Sequence, residues 1–158
     1  MESRSVSNVR KSAEESFANG LYCAESVVLA LAKAQGIESD LLPKAATAFC
    51  SGMSRTCGVC GALTGAIMGV SLALGRSDAN ASVQPSYDAT ARLIKEFEQE
   101  FGARDCQVLL DCDLGSPEGQ ATFRESNLRE RCVRYTGKAA EIAARIIDEA
   151  IGDDGGGV

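Results

Sequence analysis

The chain contains no histidine in 158 residues. That removes the usual base partner of a nucleophilic cysteine, the nitrogen ligands of mixed zinc sites and the axial ligand of most haems. There is no P-loop, no GxGxxG and no Ser/His/Asp set, so these phosphate, dinucleotide and acyl-transfer chemistries have no residues to rest on. A basic face is missing as well. A net charge of −6 and a pI near 4.7 argue against a nucleic-acid or anionic-membrane partner, since both need a basic face. Met1 to Arg10 has no apolar core segment, so no secretory signal is expected and a reducing cytoplasm is the expected compartment. No run alternates with period two, so no strands are expected.

Cysteine is what the chain does have. Seven are present: Cys23, Cys50, Cys57, Cys60, Cys106, Cys112 and Cys132. In a reducing compartment, clustered thiols point to metal binding or redox chemistry rather than to structural disulfides. The odd count leaves at least one thiol without a partner in the chain. With histidine absent, sulfur is the element that must carry the chemistry.

The remaining pattern is helical, and the expected fold class is all-α, a compact multi-helix bundle. A first helix is expected over Val6 to Ala18, ending at Gly20, and a second over Leu21 to Gln35, where Val27, Val28, Leu31 and Ala34 recur at helical spacing. Ser39 or Asp40 can cap a third through Phe49, with Pro43 in its first turn. Residues 58–75 form an uncharged, glycine-rich run. It is short for a membrane span and has no second span, so it reads as a buried central helix. Gly61, Gly65 and Gly69 lie four apart, so another backbone can approach that stripe closely. Arg76 to Ser86 reads as loop, Tyr87 to Phe101 as an amphipathic helix ended by Gly102, and Asp105 as the cap of a short turn holding Cys106. Asp111 to Gln120 reads as loop, and a last pair of helices is expected over Phe123–Tyr135 and Lys138–Ile151. One domain over residues 1–151 and a frayed tail over 152–158 complete the plan.

Cys57-Gly-Val-Cys60 is the sharpest local motif. CxxC spacing serves dithiols, zinc sites and iron–sulfur sites alike. The thioredoxin version wants a βαβ context that is not visible. Cys23, Cys60 and Cys106 sit at expected helix starts, where unpaired N–H groups and the helix dipole favour thiolate. Cys50 and Cys112 read equally well as small buried hydrophobes. Arg124, Arg129, Arg131 and Arg134 beside Cys132 either stabilise a thiolate, face an acidic partner or are ordinary surface charge.

The layout Cys23, then Cys60-Gly-Ala-Leu-Thr-Gly65, then Cys106, then Cys132 resembles the redox-active protein family named for the pattern C…CGAxxG…C…C (C_GCAxxG_C_C). Asn19 to Ser26, Phe49 to Gly52 and the Phe101–Gly102 approach to Cys106 resemble it as well. The resemblance implies a small helical protein whose motif cysteines are Cys23, Cys60, Cys106 and Cys132. It also implies similarity to the cluster-binding part of split-Soret cytochromes; with no CxxCH and no histidine, the haem half of that likeness is missing. Cys50, Cys57 and Cys112 depart from the pattern, where glycine-rich turn residues would be expected around Cys50 and Cys57.

Four thiolates suit a [2Fe–2S] or [4Fe–4S] cluster and equally a zinc ion held by four cysteines. Their dispersal, with gaps of 36, 45 and 25 residues, suits a cluster between several helices better than a zinc ribbon. Gly61 beside Cys60 allows close backbone approach to such a group. The expected function is therefore electron transfer by an iron–sulfur protein, [2Fe–2S] favoured, with Cys57 a possible substitute ligand. A thiol–disulfide oxidoreductase using Cys57 and Cys60 and a structural zinc protein are the alternatives. A redox partner protein is expected, its identity unspecified by the sequence, and a homodimer stays open.

Overall fold

A computed structural model describes residues 2–154, with side chains for residues 6–152. The elements are α1 (Glu2–Ala18), α2 (Cys23–Ala34), α3 (Leu41–Ala46), a 3-10 turn (Thr47–Phe49), the single turn α4 (Cys50–Arg55), α5 (Gly61–Leu74), α6 (Gln84–Phe101), α7 (Cys106–Leu110), α8 (Pro117–Glu125) and α9 (Arg129–Asp154). Among the described residues the only β pairing is one isolated bridge, Val59 with Asp105. The fold is all-α, as the patterning predicts. No described helix is long and apolar enough to cross a membrane.

Helices α1, α2, α5 and α9 pack against one another, and α6 covers α5 and α9. Val27, Leu31, Leu63, Val70, Leu93, Phe97 and Ile146 are almost fully buried between them. Each such side chain contributes about 1.5–3 kcal/mol by leaving water. The uncharged segment becomes α5, buried at the centre. Its glycine stripe meets α2 as the spacing requires. A Cβ at Gly65 would lie 2.5 Å from the Ala24 carbonyl oxygen, and one at Gly69 would overlap Leu31.

Several boundaries differ from expectation. Helix α8 starts at Pro117, inside the expected loop, because the Ser116 hydroxyl accepts from the Gly119 N–H (2.9 Å) and Pro117 fits the first turn. The last two helices break at Asn127, which is left-handed (φ 50°), and not at Gly137. Gly137 reads as a stop in sequence, but its missing side chain lets Glu14 of α1 pack against α9, so the helix runs through. Helix α6 begins at Gln84 rather than Tyr87, again with proline in its opening turn. The third helix stops at Ala46 and tightens into the 3-10 turn. Helix α9 continues through Gly152 to Asp154; residues 155–158 of the expected tail lie outside the described residues.

Candidate functional site

The segment Cys50 to Cys60 takes a conformation that sequence patterning does not foresee. Ser51, Gly52, Met53, Ser54 and Arg55 are all left-handed, with φ between 57° and 65°, and Cys57 follows at φ 61°. A left-handed turn costs an L-residue roughly 1–2 kcal/mol per residue, and only Gly52 is exempt. The turn closes on its own backbone through Gly58 N–H to Gly52 O (2.9 Å) and Ser54 hydroxyl to Ala48 O (2.8 Å). It reverses the chain so that residues 58–60 run beside 104–106. Cys60 N–H donates to Arg104 O (2.8 Å) and Cys106 N–H to Gly58 O (2.9 Å). Two cysteines 46 positions apart in sequence are thereby tied together.

Around this tie lies a cavity of about 200 Å³. Four sulfur-bearing residues line it: Cys23 from the start of α2, Cys60 at the N-cap of α5, Cys106 from the start of α7 and Cys132 from the first turns of α9. These are the four motif cysteines. Cys50, Cys57 and Cys112 are not in the lining. Phe17, Leu109, Leu110, Leu114, Phe123 and Tyr135 make the rest of the wall largely apolar. Tyr135 donates from its hydroxyl to Leu109 O (2.9 Å) and stacks edge-on to Phe101 (4.7 Å). Two glycines border the sulfurs. A Cβ at Gly52 would lie 2.5 Å from Cys106 Cβ, and one at Gly61 would overlap the Cys23 sulfur.

The other three cysteines have separate surroundings. Cys57 donates to the Asp113 carboxylate (Sγ to Oδ1, 3.2 Å), which also receives the Gly115 N–H (2.7 Å). The CxxC therefore splits: Cys60 faces the cavity while Cys57 faces a carboxylate. Cys50 is buried behind Cys23 and donates to Glu25 Oε1 and Ala46 O, both at 3.8 Å. Cys112 is half-buried in the turn after α7. All seven thiols are free.

Burial dominates the thiol electrostatics. It pushes Cys60 up to about 12, with Cys106 and Cys132 adding like-charge repulsion while the N–H groups of Ala62 and Leu63 oppose it. Cys132 rises to about 12 by burial and then by Cys106 and Cys112, with Arg129 opposing. Burial, then Cys112 and Cys57, take Cys106 to about 11. The Asp113 hydrogen bond holds Cys57 above the ordinary thiol value, and Cys50 is driven up by its hydrogen bond with Cys23 and then by burial. Cys112 is raised by burial and then by Asp111 and Asp113. Cys57 is thus disfavoured as the low-pKa nucleophile that a dithiol enzyme needs.

Sequence reading missed parts of the wall. Arg55, Arg124 and Arg129 line the cavity. Arg129 sits over the Phe17 ring (4.9 Å) and donates to Phe17 O (3.1 Å). Arg124 and Arg129 were visible as charges near Cys132, but nothing in the pattern brings Arg55 to them. Tyr135 carried no signal beyond helix periodicity.

The donor set is all sulfur, its wall is largely apolar, and glycines stand where side chains would obstruct a bound group. These features fit a soft, thiolate-ligated centre. Among the described residues, no three histidine, cysteine, aspartate or glutamate side chains converge tightly enough to grip one metal ion. No curated protein and no solved structure matches the chain. The sequence profile of the family described as "Putative redox-active protein (C_GCAxxG_C_C)" matches residues 21–146, a stretch that contains all seven cysteines and every wall residue of the cavity except Phe17. The chain belongs to this redox-active family.

Proposed function

We propose that the cavity holds an iron–sulfur cluster, [2Fe–2S] in preference to [4Fe–4S], on Cys23, Cys60, Cys106 and Cys132, and that the protein transfers electrons. The observation that carries this reading is the selection of four cysteines out of seven by one apolar cavity. Bound there, the cluster would supply a one-electron couple. The chain's own part is to hold four sulfurs on four separate elements, to keep water out with Phe17, Phe123 and the α7 leucines, and to aim the N–H groups of Ala62 and Leu63 at the Cys60 sulfur. Gly52 and Gly61 leave room at the Cys106 and Cys23 sulfurs.

A single zinc fits less well. The four cysteines come from four separate helix starts rather than from paired CxxC units on short loops, a dispersal that suits a cluster between helices better than a zinc ribbon. The test is anaerobic reconstitution with iron and sulfide. Brown protein absorbing above about 400 nm, with iron and acid-labile sulfide in equal amounts, is expected. Cys60→Ser should abolish the colour and Cys112→Ala should keep it. Colourless, iron-free protein after reconstitution, or one zinc per chain, would overturn the proposal.

A further inference from the structure

The dithiol that sequence spacing singles out, Cys57 with Cys60, is separated by the fold, and a different pair is brought together. Cys23 and Cys50 are 27 positions apart. One added methyl at Gly61 would overlap the Cys23 sulfur and lie 3.1 Å from Cys50 Cα, so both residues crowd the same point. Cys23 packs on the small core of Ala24, Val28, Ala46 and Cys50. Cys23 opens onto the cavity, whereas Cys50 is only 4% exposed. The pair has the layout of an accessible attacking thiol with a resolving thiol behind it.

We propose that Cys23 and Cys50 form a reversible disulfide in the metal-free chain, with a small-molecule disulfide as the oxidant. The Cys23 thiolate attacks one sulfur of the small disulfide, forming a mixed disulfide and expelling one small thiolate. Cys50 then attacks the Cys23 sulfur, and its proton passes to the departing small thiolate. A Cys23–Cys50 bond forms and the second small thiolate leaves. The protein thiols lose two electrons, the small disulfide gains two, and the two protons end on the released thiols.

This couple goes beyond the iron–sulfur reading and does not require it, because Cys50 stands outside the proposed ligand set. It does compete with a cluster, since a disulfide removes the Cys23 thiolate.

The experiment uses the full reduced, metal-free chain, equilibrated with oxidised glutathione at about pH 7.5, where small thiols exchange readily, then quenched in acid, alkylated and mapped by mass spectrometry. The expected product joins the Cys23 and Cys50 peptides and is lost on adding dithiothreitol. In Cys50→Ser that link is lost and a glutathione adduct accumulates on Cys23. A dominant Cys57–Cys60 link, a link from Cys23 to Cys60, Cys106 or Cys132, or free alkylated Cys23 and Cys50 would overturn the proposal. If Cys50→Ser fails to fold, the wild-type map alone decides. Iron uptake by the reduced wild-type chain reports the cluster reading separately, so either result can fail without the other.

Discussion

Replacing Gly65 with alanine should separate α2 from α5 and disturb the cysteine cavity at a distance. The added Cβ would lie 2.5 Å from Ala24 O, 2.9 Å from Ala24 Cα and 3.1 Å from Ala24 C. All three are backbone atoms, so no side chain can rotate away. Carbon contacts settle near about 3.5–4.0 Å, so the helices must part by roughly 0.5–1 Å, which forfeits a quarter to a half of the dispersion across the seam. Overpacking of this kind costs about 1–3 kcal/mol, while alanine returns up to about 1 kcal/mol of helix propensity. A net loss of about 1–2 kcal/mol is expected, which lowers Tm by roughly 2–8 °C in a domain of this size. Urea unfolding followed by circular dichroism measures it. Gly152→Ala is the control, because nothing lies within 4 Å of a Cβ there. The same chemical change should be neutral or stabilising at that site. Because α2 carries Cys23 and α5 follows Cys60, Gly65→Ala should, on the proposed iron–sulfur reading, also reduce iron uptake. A Gly65→Ala protein as stable as wild type would refute the close-contact account of the glycine stripe.

Other consequences can be checked independently. Ser51→Gly should stabilise the fold by up to about 1 kcal/mol, since serine at φ 57° is strained and glycine is not; an unchanged or lower Tm would contradict the left-handed turn. Asp113→Asn should speed alkylation of Cys57 at about pH 8, near the ordinary thiol range, because the carboxylate is what holds that thiol up; equal rates in the two proteins would remove Asp113 as the cause. Cys60, Cys106 and Cys132 are raised in the folded chain, so the metal-free protein keeps their contribution below the unfolded thiol range and loses it as pH rises from about 8.5 towards the folded values of about 11 to about 12. Each thiol then costs about 1.4 kcal/mol per pH unit, and urea midpoints at about pH 8, 9 and 10 should fall steeply; a flat series would show that these thiols titrate normally.

The helical class, the buried uncharged segment and the close approach at Gly65 and Gly69 were legible because each rests on local periodicity or on the absence of a side chain. Gly137 shows the limit of that reading. A glycine reads as a helix end until a partner such as Glu14 uses the space it leaves. The left-handed turn was illegible for a related reason: serine, methionine and arginine carry no preference for positive φ, and only the surrounding contacts hold them there.

By itself, the sequence determined that sulfur must carry the chemistry, since histidine is absent, and which four cysteines match a motif. Tertiary structure alone decided how the seven thiols divide. The left-handed turn and the Val59–Asp105 bridge bring Cys60 beside Cys106, turn Cys57 towards Asp113 and set Cys50 behind Cys23. Spacing along a chain records which sulfurs are near in sequence. Which of them share a cavity depends on where packed helices begin, and that is fixed by contacts between residues far apart.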